Sequence, residues 1–376
     1  MRFKWAWTAS LGIFIQFFAG DLYKFSSMSR GELADTFSIN NLVTRPEKVN
    51  MELLTMLAWI LIFFLSSLFS FLALKFKTIR VISTVISIIP FIFILAYFLF
   101  KIPTLPLDED HKKLFFTNFK VGGHRGSVSP SAPENSLEAM TAVVKHGGQL
   151  AEIDIHLTSD GVAVISHDGN VVRATGVDKD ISKMTLEEFK TLRYINTNIS
   201  LPTFAEAVQH CVSNNIMMIW DVKSVNSELL TAFVTQIRTH NLYDKVLITG
   251  FNPIDMFMVK KADSKILTGF TFRTWELSTT DEAATQLRFA GVLNAIAQLL
   301  DVIAFALARS LIIPKFLGSD MIFYHVNDAS AYLAAEALQN DMHLGVWTSN
   351  NKIEQRWLRD HLKVPFLTDD VAMVPK

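Results

Sequence analysis

The first hundred residues contain three long apolar runs. The run at 5–19 is the shortest, whereas the runs at 53–74 and 81–100 contain no charged side chain. A helix needs about 20 predominantly apolar residues to cross the hydrocarbon core, and a soluble core helix is rarely apolar on every face. The pattern predicts transmembrane helices at 53–74 and 81–100. At 5–19 it predicts a third span, a tilted anchor or an uncleaved signal sequence.

Basic residues near these runs suggest an orientation. They lie at the start of the chain and in the linker 75–80, and the positive-inside rule places both on the cytoplasmic side. The chain after Lys101 is then expected on the lumenal or extracellular side of an endomembrane or the plasma membrane. A sequon at Asn198 is a glycosylation candidate compatible with that side.

From residue 119 onward, short apolar strands alternate with amphipathic helices. Eight such strands over about 250 residues predict a (β/α)₈ TIM barrel, and an open doubly wound sheet is the alternative. The predicted strands are 119–123, 150–155, 216–222, 245–250, 266–272, 321–325, 344–348 and 365–369. A further run at 162–166 follows too closely to be parallel, so we expect a hairpin that carries His167 to the barrel mouth.

Composition agrees with a membrane protein that carries a folded domain. Half of the residues are hydrophobic, which is more than a simple soluble enzyme needs. The net charge is −1, so no nucleic-acid partner is expected. The single cysteine, Cys211, excludes a disulfide within the chain.

Three acidic residues lie at the predicted strand ends, where a barrel places its reactive groups. Glu152 and Asp154 are two apart on one strand and share a face, and Asp221 ends the next parallel strand. A set of carboxylates suits a hard cation such as Mg²⁺ or Ca²⁺, with water completing the shell. Ordinary surface acids are the alternative interpretation.

Histidines and cations lie at the same predicted mouth. His124 and His167 suit general acid–base catalysis, because imidazole titrates near neutral pH. Arg125 and Lys223 are placed to bind an anion, and Trp347 ends the seventh strand as a candidate substrate contact. Together these residues predict a phosphodiester site.

The stretch 121–136 raises two smaller expectations. Its glycines at 122, 123 and 126 are expected to let the backbone approach a ligand closely. Asn135 is a good candidate for the N-cap of the helix that follows.

Several motifs together resemble the glycerophosphodiester phosphodiesterase family over about 119–372. They are HRG at 124–126, PENS at 133–136, EIDIHLTSDGVAVISHD at 152–168, LPTFAEAV at 201–208, WDVK at 220–223, VWTSN at 346–350 and LTDD at 367–370. The resemblance implies release of sn-glycerol 3-phosphate and an alcohol from a glycerophosphodiester. One departure is Asp221, where many members have Glu.

The resemblance also implies roles for individual residues. Glu152, Asp154 and Asp221 would bind the metal. His124 and His167 would form the acid–base pair, and Arg125 and Lys223 would hold the phosphate. The residues expected to support these side chains are Glu134, Asn135 and Asp168.

An apolar insertion at 286–318 separates two of the predicted strands. By hydropathy alone it could cross a membrane, but a span would part the last strands from the rest of the barrel. We expect it to lie in the lipid interface beside the site, or to cover the barrel wall as a helical hairpin. Lysophospholipids and N-acyl glycerophosphoethanolamine are therefore candidate substrates beside glycerophosphoinositol. The alternatives are a lysophospholipase D that gives lysophosphatidic acid and a catalytically silent membrane receptor or scaffold.

Overall fold

The computed structural model describes residue 92, residues 94–281 and residues 284–375. The predicted spans 5–19 and 53–74 lie outside the described residues, as does most of 81–100. The described end of that third run, residues 94–100, is helical, and Leu99 and Phe100 are exposed there. The ring of Tyr97 packs against Phe316 at 5.6 Å between ring centroids.

Eight parallel strands close into a barrel. They pair in the cyclic order β1–β2–β4–β5–β6–β7–β8–β9, and β9 pairs again with β1, whereas β3 returns antiparallel beside β2. The strands are β1 (Val121–Gly123), β2 (Leu150–Leu157), β3 (Ala163–Ile165), β4 (Met217–Val222), β5 (Val246–Gly250), β6 (Leu267–Phe272), β7 (Met321–His325), β8 (His343–Trp347) and β9 (Phe366–Thr368). The predicted barrel and its hairpin are confirmed, and the doubly wound alternative is wrong because the sheet has no open edge in the barrel.

Helices surround the barrel, and most of them begin at a polar side chain that caps the first turn. The helices are α1 (Asp110–Asn118), α2 (Leu137–Lys145), α3 (Val172–Thr175), α4 (Leu186–Thr191), α5 (Phe204–Ser213), α6 (Ser227–His240), α7 (Pro253–Ala262), α8 (Gly291–Arg309), α9 (Ile312–Leu317), α10 (Ala331–Gln339) and α11 (Lys352–Arg356). Short 3₁₀ segments and a π turn at Trp357–Leu362 complete the chain. At the start of α5, for example, Thr203 and Glu206 form a reciprocal capping box, in which each side chain accepts a hydrogen bond from the backbone N–H of the other residue.

The expectation that Asn135 caps α2 is wrong. The hydroxyl of Ser136 accepts the hydrogen bond from the backbone N–H of Ala139 and is the cap. Asn135 instead has φ of 60° and donates from its amide to Asp154 on β2. The preference of Asn for helix caps depends on the local sequence only. Here the hydrogen bond to Asp154 on another strand determines the position of Asn135 instead.

The apolar core of the barrel itself has two layers. The outer layer lies between the strands and the surrounding helices, and the ring of Phe204 meets the rings of Trp220 and Phe233 edge to face within it. The inner layer fills the end of the barrel where the strands begin, and α1 closes that end with Phe115 and Phe119. Because this end is plugged, the cavity lies at the opposite end, where the strands finish.

A buried ion network fastens α1 to the plugged end. Asp320 lies between Lys112 and Lys260, with Nζ–Oδ distances of 3.0 and 2.6 Å. All three side chains are buried, and Asp320 also accepts from the backbone N–H of Thr268. The remaining donors of the two lysines reach backbone carbonyls, so the described groups of this network satisfy one another.

The predicted insertion forms α8 and α9. Of the helices that the structure describes, α8 is the one whose length and apolar composition would allow it to cross a membrane. Its last turn packs at the catalytic end of the barrel, because Tyr324 of β7 donates from its hydroxyl to the carbonyl of Ala308. The chain then returns through α9 to the start of β7.

Candidate active site

The carboxyl ends of the strands surround a cavity of about 190 Å³. Eleven of its lining side chains are charged or polar, and the others are mostly aromatic. The lining residues are His124, Arg125, Glu152, Asp154, His167, Asp221, Lys223, Phe251, Thr271, Arg273, Glu276, Thr280, Phe323, Trp347 and Leu367. The structure therefore brings together every side chain that the sequence proposed for catalysis, substrate contact or metal binding.

Three buried carboxylates form the acidic centre of the cavity. Asp154 of β2 lies directly opposite Asp221 of β4 in the strand register, and Glu152 shares the face of Asp154. One oxygen from each of the three lies within 4.8 Å of the others. This donor set of carboxylate oxygens fits a hard divalent cation.

Neighbouring groups fix the orientation of these carboxylates. Lys223 places its ammonium 2.6 Å from Asp154 Oδ1 and 2.5 Å from Asp221 Oδ2. The amide of Asn135 donates to Asp154 at 2.8 Å. The backbone N–H of Arg125 donates to Glu152 at 2.7 Å.

Charge is unevenly compensated within the acidic centre. Burial and, after it, the charge of Asp154 raise the pKa of Glu152 to about 8. Burial also opposes ionisation of Asp154, but Lys223, His167 and Arg125 hold its pKa below the usual range. The cluster thus holds more carboxylate than its cations neutralise, which is what a divalent ion would correct.

His124 faces the cavity from the end of β1. Its Nδ1 donates to Asp369, which follows β9, across 2.7 Å, and Asn350 in turn donates to the other oxygen of Asp369. Burial alone would lower the pKa of His124, but the Asp369 hydrogen bond and the charge of Glu152 raise it. His124 is therefore poised to carry a proton on Nε2.

His167 follows the hairpin strand β3 and has the opposite tendency. Its Nδ1 lies 2.7 Å from Asp168 Oδ1. Burial, followed by the positive charges of Lys223 and Arg125, lowers the pKa of His167 despite that partner. Two histidines with pKa values displaced in opposite directions suit one acid and one base.

Arg173, which the sequence reasoning left unassigned, links the two sides of the site. It donates to both oxygens of Glu134, at 2.7 and 2.8 Å, and to Asp168 at 2.5 Å. Glu134 also accepts from Arg125 at 3.3 Å. Arg173 thereby connects Glu134, which binds Arg125, with Asp168, which binds His167.

Arg125 itself retains an unused donor. Its Nε is buried and has no hydrogen-bond partner among the described residues, although Asp154 Oδ2 lies 3.8 Å away. A buried guanidinium N–H without a partner is costly, so a donor left open beside the acidic centre fits an anionic ligand.

Trp347 and its neighbours form the apolar side of the cavity. The indole N–H of Trp347 donates to the carbonyl of Phe323, and the ring meets Phe251 edge to face at 5.6 Å. The facing wall is polar and comes from the segment after β6, through Arg273, Glu276 and Thr280. The sequence reasoning missed this wall and Asp369, although Arg273 directly follows one predicted strand and Asp369 is the last residue of another.

The glycines of the first strand serve packing rather than ligand approach. A Cβ on Gly123 would lie 2.4 Å from the backbone of Gly126, and one on Gly126 would lie 2.6 Å from Ala139 of α2. Gly126 also has φ of 87°. The expectation that these glycines admit the ligand is wrong, because the close neighbours are protein atoms.

Comparisons with known proteins agree with this geometry. A family model described as the glycerophosphoryl diester phosphodiesterase family matches residues 124–373. Glycerophosphodiester phosphodiesterase 1 of Mus musculus is 27% identical over 273 residues, which is 66% of this chain and 77% of that protein. A lysophospholipase D of Homo sapiens is 39% identical over 89 residues, which is 24% of this chain and 27% of that protein.

The fold also has solved counterparts. A phosphodiesterase from Oleispira antarctica, in complex with the product sn-glycerol-3-phosphate, superposes with a TM-score of 0.53 at 20% identity. The match covers 69% of this chain and 97% of that one. At this level of identity the likeness supports the barrel fold.

Proposed function

This chain belongs to the glycerophosphoryl diester phosphodiesterase family, and from that premise we propose a membrane-anchored, metal-dependent enzyme. It hydrolyses glycerophosphodiesters to sn-glycerol 3-phosphate and an alcohol. The observation that carries the proposal is the acidic centre of Glu152, Asp154 and Asp221, which faces two histidines and an unpaired arginine donor.

The metal is Mg²⁺ or Ca²⁺, held by the acidic centre. When bound, it neutralises the carboxylates and stabilises negative charge on the phosphoryl oxygens. Asp221 has a shorter side chain than the Glu of many relatives, and it lies directly opposite Asp154 in the strand register.

Arg125 and Lys223 bind the phosphodiester beside the acidic centre. The free Nε of Arg125 donates to a phosphoryl oxygen, while Glu134 holds the other end of the guanidinium. Asp154 and Asp221 raise the pKa of Lys223, against the effect of burial, so this side chain remains an ammonium. Trp347 supplies an apolar surface for the glycerol or alcohol group.

The histidines move the protons. His167 accepts a proton at Nε2 from the attacking hydroxyl, because its lowered pKa leaves it neutral. His124 donates from Nε2 to the oxygen of the leaving alcohol, because Asp369 favours its protonated form. The attacking group is water or the substrate's own glycerol hydroxyl, and both routes need the same base.

A catalytically silent receptor or scaffold is the competing class. Loss of catalysis usually removes one or more groups of a site, and here the acids, both histidines and both cations line one cavity. This convergence favours the enzyme.

Lysophospholipase D activity is the second candidate function. The exposed apolar surface of α8 lies beside the cavity wall, and such a surface suits substrates with an acyl chain. Lysophospholipids and N-acyl glycerophosphoethanolamine belong to this class, whereas glycerophosphoinositol does not need it. The limited similarity to a human lysophospholipase D supports the same candidate.

The predicted spans before residue 101 anchor the enzyme, with the barrel on the lumenal or extracellular side. Asn198 is exposed in a loop, as a glycosylated residue must be. Glycosidase sensitivity of the wild-type chain, compared with Asn198→Gln, tests this orientation.

Product identification tests the activity. The full chain, purified in detergent with Mg²⁺ or Ca²⁺, is given glycerophosphoinositol, glycerophosphocholine and lysophosphatidylcholine in separate reactions. Release of sn-glycerol 3-phosphate supports the main proposal, and release of lysophosphatidic acid supports the second candidate. No hydrolysis of any of them by a folded, metal-supplied enzyme contradicts both.

A further inference from the structure

Helix α8 is apolar on the side that it presents to solvent. Its buried stripe has the i, i+3, i+7 spacing of one helix face, but the stripe consists of Asn294, Ala297, Asp301 and Ala308. The larger aliphatic residues lie outside this stripe, and Val292 and Leu293 are 77% and 65% exposed. The helix of a water-soluble barrel has the reverse arrangement, so this exposed surface fits an apolar partner.

The helix is tied to the catalytic end of the barrel at three points. Just before it starts, Arg288 donates to the carbonyls of Glu276 and Thr279, at 3.0 and 2.8 Å. At its end, Arg309 donates to Asp328 and Ser330 near the end of β7, at 3.2 and 2.9 Å. Because both ends are held to the same face, α8 lies along the rim and does not cross a bilayer.

The third tie is Asp301, in the middle of the helix. Each of its carboxylate oxygens accepts one backbone N–H, from Leu277 and from Ser278, at 2.9 Å. The side chain is buried, and a buried carboxylate in an apolar helix is costly unless it is paired in this way. Asp301 thus specifies one position of the segment 273–281 relative to α8.

That segment, the cavity-wall loop, forms the polar wall of the active site. Arg273, Glu276 and Thr280 line the cavity, and Arg273 donates to Glu276 and to the carbonyl of Asp281. Leu277 and Ser278, the residues held by Asp301, lie between the two cavity-lining positions 276 and 280. A displacement of α8 therefore reaches the cavity-lining positions 276 and 280 through only one or two residues of the loop.

A lipid bilayer surface is the partner that matches α8. Its exposed side chains are mostly aliphatic, with Leu299, Leu300, Val302 and Ile303 extending the surface formed by its first turns. The end of the third predicted span lies close by in the fold, because Ile102 donates from its backbone to Phe316 of α9. The barrel is thus held near a membrane by the same part of the chain that contacts the insertion.

We propose that Asp301 couples the seating of α8 in a bilayer surface to the position of the cavity wall. The bilayer stabilises α8 in the arrangement that exposes its aliphatic side chains, and Asp301 then holds the cavity-wall loop in its substrate-binding position. A lipid surface accordingly increases turnover even of a water-soluble substrate. The inference rests on the proposed phosphodiesterase function and adds a regulatory role for the membrane.

The test compares the full chain in phosphatidylcholine nanodiscs with the same chain in a lipid-free amphipol. With glycerophosphocholine as a water-soluble substrate, we expect kcat/KM to be at least about 5-fold higher in nanodiscs, the lower end of typical coupling between sites. Asp301→Ala should remove the difference and leave the low value in both preparations. Gln298→Ser, at an exposed polar position of the same helix, is the control and should keep the full difference.

A second readout does not depend on catalysis. Trp275 lies in the cavity-wall loop, so the fluorescence difference between the wild-type chain and Trp275→Phe reports the loop. This signal should differ between nanodiscs and amphipol in the wild-type chain and should not differ in Asp301→Ala. If the phosphodiesterase proposal alone fails, turnover is absent everywhere while the Trp275 signal still responds to lipid.

Three results would overturn the coupling. The first is an equal kcat/KM for the wild-type enzyme in both preparations. The second is a full nanodisc effect in folded Asp301→Ala. The third is an increase that follows protein concentration in amphipol without lipid, which would identify a second copy of the chain as the partner.

Discussion

The two ends of the barrel both bury charged groups, but they compensate them differently. At the plugged end, one carboxylate, Asp320, lies between the ammonium groups of Lys112 and Lys260. At the catalytic end, Lys223 pairs with two of three carboxylates, Asp154 and Asp221, and burial raises the pKa of the third, Glu152, to about 8. The first arrangement is complete within the protein and stabilises it. The second leaves carboxylate charge that its neighbouring cations do not neutralise, and we propose that a bound metal cation completes it.

Glu152→Gln should give the largest loss of activity. The substitution keeps the shape of the side chain and removes one charge from the acidic centre, so metal binding fails. Turnover of glycerophosphoinositol should fall at least about 10³-fold, since a bound metal supplies several kcal/mol of charge stabilisation. The midpoint of thermal unfolding without metal should not fall, because the substitution removes the repulsion between the carboxylates of residue 152 and Asp154.

The control for this variant is Glu138→Gln, at an exposed position on α2. It should leave both turnover and thermal unfolding unchanged. A Glu152→Gln enzyme with wild-type turnover would contradict the role of the acidic centre.

Asp320→Asn should give the opposite pattern. It leaves two buried ammonium groups without their carboxylate, and breaking a buried pair in this way costs about 3–5 kcal/mol of unfolding free energy. Denaturant unfolding measures this loss, while kcat per folded molecule should stay near wild type because the network is at the other end of the barrel. Asp360→Asn, in an exposed pair with Arg359, is the matched control and should barely move the midpoint.

A small loss in Asp320→Asn, similar to that of the surface control, would contradict the contrast between the two ends. A large loss of kcat in its folded fraction would contradict the separation of stability from catalysis.

The histidines should produce a bell-shaped dependence of kcat/KM on pH. The pKa of His167 lies below the ordinary value of 6.5 and that of His124 lies above it. Activity should rise with pH as His167 loses its proton and fall at higher pH as His124 loses its own. Asp369→Asn removes the hydrogen bond that raises the pKa of His124, so the alkaline limb should move to lower pH by about one unit.

Asp168→Asn gives the complementary control. The Asp168 hydrogen bond raises the pKa of His167, so its loss should move the acidic limb to lower pH and leave the alkaline limb in place. Movement of the same limb in both variants would contradict the assignment of one acid and one base.

Strand periodicity predicted most of the catalytic end. Glu152, Asp154, Asp221 and Lys223 were placed correctly in the cavity because each lies on or just after an apolar strand, and parallel strands finish at one face. Asp369 follows a strand in the same way, but nothing local shows that its partner is His124, 245 positions earlier.

Contacts between distant elements limited the rest of the prediction. Asn135 was expected to cap a helix because local preference cannot register the carboxylate of Asp154. Composition identified the apolar insertion, but only the fold shows that Asn294, Asp301 and two alanines, rather than the leucines, form the buried stripe of α8. Arg173 joins two carboxylates whose proximity depends on the closed barrel.

Removal and return of the metal test the central claim most directly. The purified chain is stripped with EDTA, and release of sn-glycerol 3-phosphate from glycerophosphoinositol and thermal unfolding are both measured as Mg²⁺ or Ca²⁺ is added back. We predict no turnover after stripping, recovery with at least one of the two ions, and a rise in the unfolding midpoint that Glu152→Gln lacks. Full turnover in the stripped enzyme, or a midpoint that neither ion changes, would contradict the account.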